Sequence, residues 1–455
     1  MLVELDRGAR EPLSLQLERT LREAVRRGAL RPGTLLPSTR ALAGELGVSR
    51  GLVVAAYAQL GAEGYLHLRR NAPPVVASGV GVAAPARTLE ADPAWPHNLR
   101  PDLPDYAAFP RDEWLKSYRA ALRRAPDGEL AYGDVRGAPA LREALAAYLG
   151  RVRGVVGDAE HIFVCSGFAQ AMNLIGGVLG RTGRTRIAVE DPSHAVIREI
   201  VARSGLDPIP IPVDADGIDV EAVATAAPHA VLVTPAHQFP AGVVLAPERR
   251  AQILAWAEQT GAVVIEDDFD AEYRYDRPPV GSLQGLAPER VVYCGTASKT
   301  LAPTLRLGWI VAPGELVRPL VDQVLHTVIA PPRLDQLAFA DFLLRGELDR
   351  HLRRMRLRYR RRRDVLVRAL GRQLPELEVR GVAAGLYVEA VLPEGTNEAR
   401  VVEEARARGV GLSGMAEHCA EVVRDPALLL GYAVAQEPAL RRAVGVLAEA
   451  VRAAA

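Results

Sequence analysis

Lysine is nearly missing from this chain. Of 56 basic residues only Lys116 and Lys299 are lysine, and the rest are arginine. With the abundant Ala, Gly and Pro, this reads as genomic composition. It still leaves only two side chains for chemistry that needs a primary amine. Cysteine is scarce as well, and Cys165, Cys294 and Cys419 stand far apart without paired spacing. That argues against a disulfide framework and against a zinc site, and no metal is expected. No run of about 18 uncharged apolar residues occurs, so no membrane span is expected. The N-terminal MLVELDRGAR lacks an apolar signal core, and a cytoplasmic protein is expected. A net charge of +1 argues against a uniformly basic nucleic-acid binder. What remains is an ordinary globular composition, 49% hydrophobic and 24% charged. Its 455 residues correspond to about three domains at ~150 residues each.

Charge is spread unevenly. Residues 1–76 hold 11 Arg against 7 acidic residues, a net +4, while the remainder carries −3. A small basic module on a larger, slightly acidic body is the shape this suggests. In SLQLERTLREAVRR (14–27), Leu15, Leu17, Leu21 and Val25 lie mostly on one helical face, with Arg and Glu opposite. Gly28, Pro32 and Gly33 end that helix. In the next stretch Ser38 caps a helix carrying Leu42 and Leu46, and Gly47 makes a turn. Ser49 then caps a second helix that turns Val53, Tyr57 and Leu60 inward. Two helices around a glycine turn form a helix-turn-helix, and YLHLRRNAPPVV (65–76) suits a winged hairpin. In that geometry the second helix enters the major groove, with Arg50 near base edges where it can bond guanine. Ser38, Arg40 and Ser49 would hold phosphates, which fix register. Arg69 and Arg70 join this DNA-contacting set from the wing.

Residues 77–95 are rich in Ala, Gly and Pro and read as a linker. The body, 96–455, divides into a large part over about 141–340 and a small part over about 96–140 and 341–455. From about residue 160, apolar extended runs alternate with helical patterns, which implies a mostly parallel sheet with helices on both faces. Ligands in such sheets sit beyond the carboxyl ends of the strands. Ser166, Gly167, Asp191, His237, Gln238, Asp267 and Lys299 all follow strand patterns.

These residues make chemical sense together. A lysine amine can form a Schiff base with an aldehyde. A pyridine nitrogen needs an acid partner to stay protonated, and Asp267 could be that acid. A phosphate needs amides at a helix start, a cation and hydroxyls. Gly167, Phe168 and Ala169 open a helix, Thr296 and Ser298 flank Lys299, and Arg306 lies seven residues beyond it. The set suggests pyridoxal 5'-phosphate.

Residues 10–76, through LPSTRALAGELGVSR and AYAQLGAEGYL, resemble the GntR-type winged-helix domain. SGFAQAMNLI, EDPSH, TPAHQFPAG, IEDDFDAEY and TASKTLAPTLRLGW resemble, in order, the motifs of fold-type I aminotransferase domains. The whole chain looks like a MocR-type regulator of the GntR superfamily. The resemblance implies a winged helix joined by a linker to a large mostly parallel sheet domain and a small α+β domain. It also implies roles for particular residues. Lys299 would bond the cofactor aldehyde, and Asp267 would pair with the pyridine nitrogen. His194 stands where an aromatic ring usually stacks on the cofactor. Arg306, Thr296, Ser298 and the amides after Ser166 would hold the phosphate. Tyr132 would reach the phosphate of the other subunit of a homodimer. His237 or Gln238 lies near the position that bonds the phenolic oxygen, and HQFP is one residue longer than the corresponding HNP.

Three departures stand out. At the wing tip RRNAPPVV replaces a usual Gly-Ser-Gly stretch. Phe269 stands where relatives usually have Tyr, which removes one hydrogen bond to the phenolic oxygen. Val434 stands where relatives usually have the arginine that makes a bidentate bond to a substrate α-carboxylate. Arg333 is the one other candidate for that role.

The expectation is a dimeric transcription regulator that binds double-stranded DNA and senses pyridoxal phosphate or a small amino compound. The alternative is a working pyridoxal-phosphate aminotransferase with an accessory DNA-binding module; a third reading is a cofactor-free dimerisation body. The arginine run HLRRMRLRYRRRR (351–363) reads as a solvated helix that packs Leu352, Met355 and Tyr359 inward, or as a second DNA-facing surface.

Overall fold

The computed structural model describes residues 5–69, 72–77, 94–131, 133–276, 278, 280–327 and 331–454. The described residues up to 77 form one compact unit, and those from Ala94 onward form a second.

The first unit holds α1 (Leu13–Arg26), α2 (Thr39–Leu46), α3 (Arg50–Ala62) and a hairpin of β1 (Leu66–His67) with β2 (Val75–Val76). Leu17, Leu21 and Val25 of α1 meet Val53, Tyr57 and Leu60 of α3 in one core. The Ser38 and Ser49 hydroxyls accept the amides of Ala41 and Leu52 at 3.2 and 3.3 Å, so both helices start where a cap was expected. Gly47 ends α2 at φ +62°, a conformation glycine adopts without Cβ strain. One expectation fails: Leu15 is 49% exposed. Gln16 takes the inward position instead, because its amide is fully used by the backbone of Asp6 and Glu11. Hydrogen bonding makes this burial affordable despite the polar group.

Strand β3 (His97–Asn98) opens the second unit. The main sheet holds β4 (Ile162–Cys165), β5 (Arg186–Asp191), β6 (Asp207–Asp214), β7 (Gly217–Ile218), β8 (Ala230–Val233), β9 (Val263–Asp268), β10 (Val291–Thr296) and β11 (Gly308–Val311). Their order is β4-β11-β10-β9-β8-β5-β6-β7. The pairs β10–β9, β9–β8, β8–β5 and β5–β6 are parallel, while β11 runs antiparallel to both neighbours. Strands β9 and β10 are buried along their whole length. Val263 and Ile265 face a core formed with the helix Phe168–Arg181, and Val264 faces the core of the helix Pro247–Thr260. Helices cover both faces, so these strands read as unbroken apolar runs rather than alternating ones.

The smaller sheet holds β12 (Glu378–Arg380), β13 (Tyr387–Val391), β15 (Ser413–Gly414) and β16 (Ala427–Gly431), in the order β12-β13-β16-β15. The remaining strand, β14 (Val410–Gly411), pairs in parallel with β3. The arginine-rich segment lies in one long helix, Glu347–Gln373. Leu352, Met355 and Tyr359 are buried as expected. Part of its charge is structural: Arg358 and Arg362 both bond Asp105 at 3.0 Å. Among the described residues, no helix is long and apolar enough to cross a membrane.

Candidate cofactor site and DNA-binding face

The parallel strands end around a cavity of about 480 Å³. Nine of the expected residues line it: Gly167, Phe168, Ala169, His194, Asp267, Thr296, Ser298, Lys299 and Arg306. Loops at the ends of different strands deliver them, which explains why residues 132 positions apart in sequence, Gly167 and Lys299, share one space.

At one end the helix Phe168–Arg181 starts without a side-chain cap. Gly167 stands there at φ +108°, and a Cβ on Gly308 would lie 2.8 Å from its Cα. Two glycines therefore let β11 press against this turn. The helix start presents uncapped amides, a ready anion site. Thr296 donates its hydroxyl to Ser298 Oγ at 2.9 Å, which keeps both hydroxyls together beside it. Arg306 adopts a left-handed φ of +50°, an arrangement that costs a non-glycine residue about 1–2 kcal/mol. Strain of this kind collects at functional positions. The Arg306 guanidinium makes no hydrogen bond or ion pair with another described residue, and it is exposed toward the cavity it lines.

Asp267 lies on the cavity floor, 6% exposed, and its carboxylate accepts no hydrogen bond from another described residue. Burial pushes its pKa up, and the nearby Asp268, Asp270 and Glu190 carboxylates add to the rise. Lys299 opposes it. A buried acid without a donor is costly unless a cationic donor joins it. A pyridinium N–H is such a donor. With the uncapped amides, the paired hydroxyls and Arg306, the cavity fits pyridoxal phosphate. Asp268, by contrast, is spent on structure: Arg153 Nε and Tyr293 Oη bond it at 2.7 and 2.6 Å.

Lys299 donates to the backbone oxygen of Asp102 at 2.5 Å, and Asp102 Oδ2 lies 3.9 Å from Nζ. His194 caps the helix Ala195–Arg203 with Nδ1 accepting the Val196 amide at 3.3 Å. Its ring lies 5.4 Å from that of Phe239. Burial lowers its pKa; the Asp102 carboxylate opposes the shift, while Lys299 and Arg198 add to it, so the net direction favours the neutral ring.

His237 and Gln238 are placed differently from expectation. Neither lines the cavity; Phe239 does. Gln238 is consumed by its own turn, donating to the carbonyls of Pro192 and Phe239 at 2.8 Å each and accepting from Ala241. The His237 ring is buried and paired with Asp270 Oδ2 at 2.9 Å. The added residue of HQFP thus turns a phenyl ring into the wall where a polar donor was expected. Phe269 lines the cavity as well, so two aromatic hydrocarbons border it on this side. Asp191 is also structural: its carboxylate accepts the amides of Ala420, Glu421 and Val422 at 2.8–3.0 Å. Val434 is also placed differently from expectation: it does not line the cavity but lies beside a separate groove with Arg354, Arg358 and Arg361, so its side chain does not mark where a substrate carboxylate would sit. Arg333 does not line the cavity; its Nε lies 3.5 Å from Glu129 and its Nη2 donates to the Asp134 carbonyl. Tyr132 lies outside the described residues. Sequence reasoning passed over Asp102, Glu190, Phe239 and Tyr387, all of which line the cavity. Only Glu190, an acid inside an apolar strand run, left a sequence signal.

In the first unit, Arg50 is the first residue of α3 and is exposed, with Nε 3.3 Å from Thr39 Oγ1. Ser38, Arg40, Ser49 and Arg69 are exposed too. Arg70 lies outside the described residues.

Residues 13–76 match the model for bacterial regulatory proteins of the gntR family, and residues 105–423 match aminotransferase class I and II. The chain is 34% identical over 453 residues to the HTH-type pyridoxine biosynthesis transcriptional regulator PdxR of Corynebacterium glutamicum, with 97% of each chain covered. The chain belongs to the MocR-type regulators of the GntR superfamily. It is also 32% identical to the probable rhizopine catabolism regulatory protein MocR of Rhizobium meliloti, across 99% of this chain and 96% of that one. The body of this MocR-type regulator superposes on Pyrococcus horikoshii kynurenine aminotransferase with a TM-score of 0.71 at 27% identity, covering 78% of this chain and 91% of that one. The architecture is therefore a GntR winged helix followed by a fold-type I aminotransferase-like domain, and the chain is an HTH-type transcription regulator.

Proposed function

We propose that this regulator binds pyridoxal 5'-phosphate in the cavity and double-stranded DNA through the first unit, and that occupancy of the cavity alters DNA binding. The observation that carries the reading is the set Asp267, Lys299 and Arg306: a buried acid and a guanidinium that bond no other described residue, with an amine, around one space. Arg306, the Phe168 and Ala169 amides, Thr296 and Ser298 would hold the phosphate. Asp267 would keep the pyridine nitrogen protonated, and neutral His194 would lie against the ring. The cofactor would supply an electrophilic aldehyde for Lys299 or for an incoming amine. Phe239 and Phe269 would exclude water beside that aldehyde and offer no donor to the phenolic oxygen.

The division into a DNA-binding module over 1–76, a linker over 77–95 and a cofactor-binding body over 96–455 belongs to this reading, as does a cytoplasmic setting. So does a two-fold homodimer, in which paired winged helices would read repeated half-sites. Ser38, Arg40, Ser49, Arg69 and Arg70 would hold the backbone, and Arg50 would read a base. Among the described residues that line the cavity, Lys299 and Arg306 are the only Lys or Arg, and both have roles in this reading, which speaks against turnover of ordinary amino acids. Two measurements on the full chain test the reading. Purified protein loaded with pyridoxal phosphate should show a visible absorbance band that borohydride bleaches. Arg50→Ala should weaken specific DNA binding by about 1–3 kcal/mol and relax preference at one base. A colourless protein, or uniform loss across all DNA sequences, would overturn the corresponding half.

A further inference from the structure

Resting on the cofactor reading above, we infer that the end of the cavity beyond Lys299 receives an organic amine that carries no carboxylate and keeps a positive charge beside Asp102. Among the described residues that line the cavity, Lys299 and Arg306 are the only cations. Arg306 stands at the helix-start end, with Nη2 3.9 Å from the Cβ position of Gly167. Among the described lining residues, no cation is left for an α-carboxylate near Asp102. Arg333, the other candidate named from the sequence, lies outside the lining.

What lies at that end is an acid. Asp102 lines the cavity, its side chain 39% exposed, with Oδ2 3.9 Å from Lys299 Nζ. A ligand carboxylate near Lys299 would face the Asp102 carboxylate, a like-charge contact. Once Lys299 is bonded to an aldehyde, Asp102 loses its ammonium neighbour, and a cationic ligand can take that place. Phe239, Phe269, Leu386 and Tyr387 supply the surface for a hydrocarbon stem, and aromatic faces attract cations further. The two imidazoles nearby do not change the balance. Burial lowers the pKa of His194 against the opposing pull of Asp102, and His418, whose ring stands 5.0 Å from Phe239, is pushed down to about 4 by burial. Neither offers a carboxylate a charge at neutral pH.

The test compares two ligands of matched length that differ at one end, 1,4-diaminobutane and 4-aminobutanoate. Each is titrated into the full-length protein loaded with pyridoxal phosphate, with calorimetry and the cofactor absorbance band as readouts. The diamine should bind at least tenfold more tightly, and Asp102→Asn should reduce that preference to less than threefold. Equal or tighter binding of 4-aminobutanoate, binding of neither ligand, or an unchanged preference in Asp102→Asn would overturn the inference. Failure of the cofactor reading looks different: no band forms before any ligand is added. The calorimetric comparison then still decides whether the cavity prefers the amine.

Discussion

The two ends of the cavity have had different fates. The end around Gly167, Thr296, Ser298 and Arg306 gathers amides, two mutually bonded hydroxyls and a guanidinium that bonds no other described residue, and the Asp267 floor keeps a buried acid with no described donor. The end beyond Lys299 carries Phe239, Phe269, Leu386 and Asp102, and no cation of its own among the described lining. A buried polar group left without a partner costs free energy, so Asp267, with an anion-binding helix start and a guanidinium opening on the same space, points to a ligand that offsets the cost. The apolar end carries no such debt. The contrast separates holding a cofactor from processing an amino acid: the described lining retains groups for the first and has no further cation for the carboxylate of the second.

Lys299→Ala probes the contrast with the largest expected effect. It should abolish the borohydride-fixable absorbance completely, because Lys116, the other lysine, is exposed and paired with Glu113. Retention of a fixable band would show that the two ends are not joined through Lys299.

Glu190 lies in the wall of the same cavity and accepts the Thr234 hydroxyl at 2.5 Å. Burial raises its pKa from 4.5 to about 7. Below pH 4.5 the carboxyl is protonated whether the chain is folded or unfolded, and the full stabilisation is present. That stabilisation is lost as pH rises through 7, by about 3 kcal/mol at 1.36 kcal/mol per unit. Glu190→Gln should therefore match the wild type in denaturant melts at pH 4.5 and exceed its stability at pH 8. A constant difference across that range would remove Glu190 from the titration.

Asp267→Asn should act in opposite directions with and without cofactor. At pH 8 the cofactor-free protein should melt at a higher temperature, since the substitution removes the cost of ionising a buried acid whose pKa is raised. Pyridoxal phosphate should bind about 10- to 100-fold more weakly, the loss expected for a charged hydrogen bond of ~1.5–3 kcal/mol. Equal melting temperatures would mean that Asp267 is already protonated or partnered in the free protein. Phe269→Tyr has the smallest expected effect. A restored hydroxyl would add one hydrogen bond of about 1 kcal/mol to the phenolic oxygen, shifting the pH at which the absorbance band titrates. No shift would mean that the ring points away from that oxygen.

Much of this was legible along the chain. Ser38 and Ser49 announced two helix starts, and both hydroxyls cap them. The apolar runs VVIED and VVYCG announced buried strands. Asp267, Thr296, Ser298, Lys299 and Arg306 converge because residues at strand ends are brought together by the sheet itself. Periodicity and capping are local, so a sequence carries them openly.

The misplacements share one cause. Leu15 and Gln16 compete for a single inward position, and hydrogen bonds to Asp6 and Glu11 decide it. Gln238 and Phe239 compete for one wall, and the turn consumes the amide. Asp102 meets Lys299 across 197 residues. Such outcomes depend on which partner lies within about 3 Å in the folded chain. By itself, then, the sequence determined the two units, the scarce amine at Lys299 and the acid at Asp267. Only the tertiary structure decided what borders that amine, because hydrogen-bond competition and long-range proximity are settled in three dimensions.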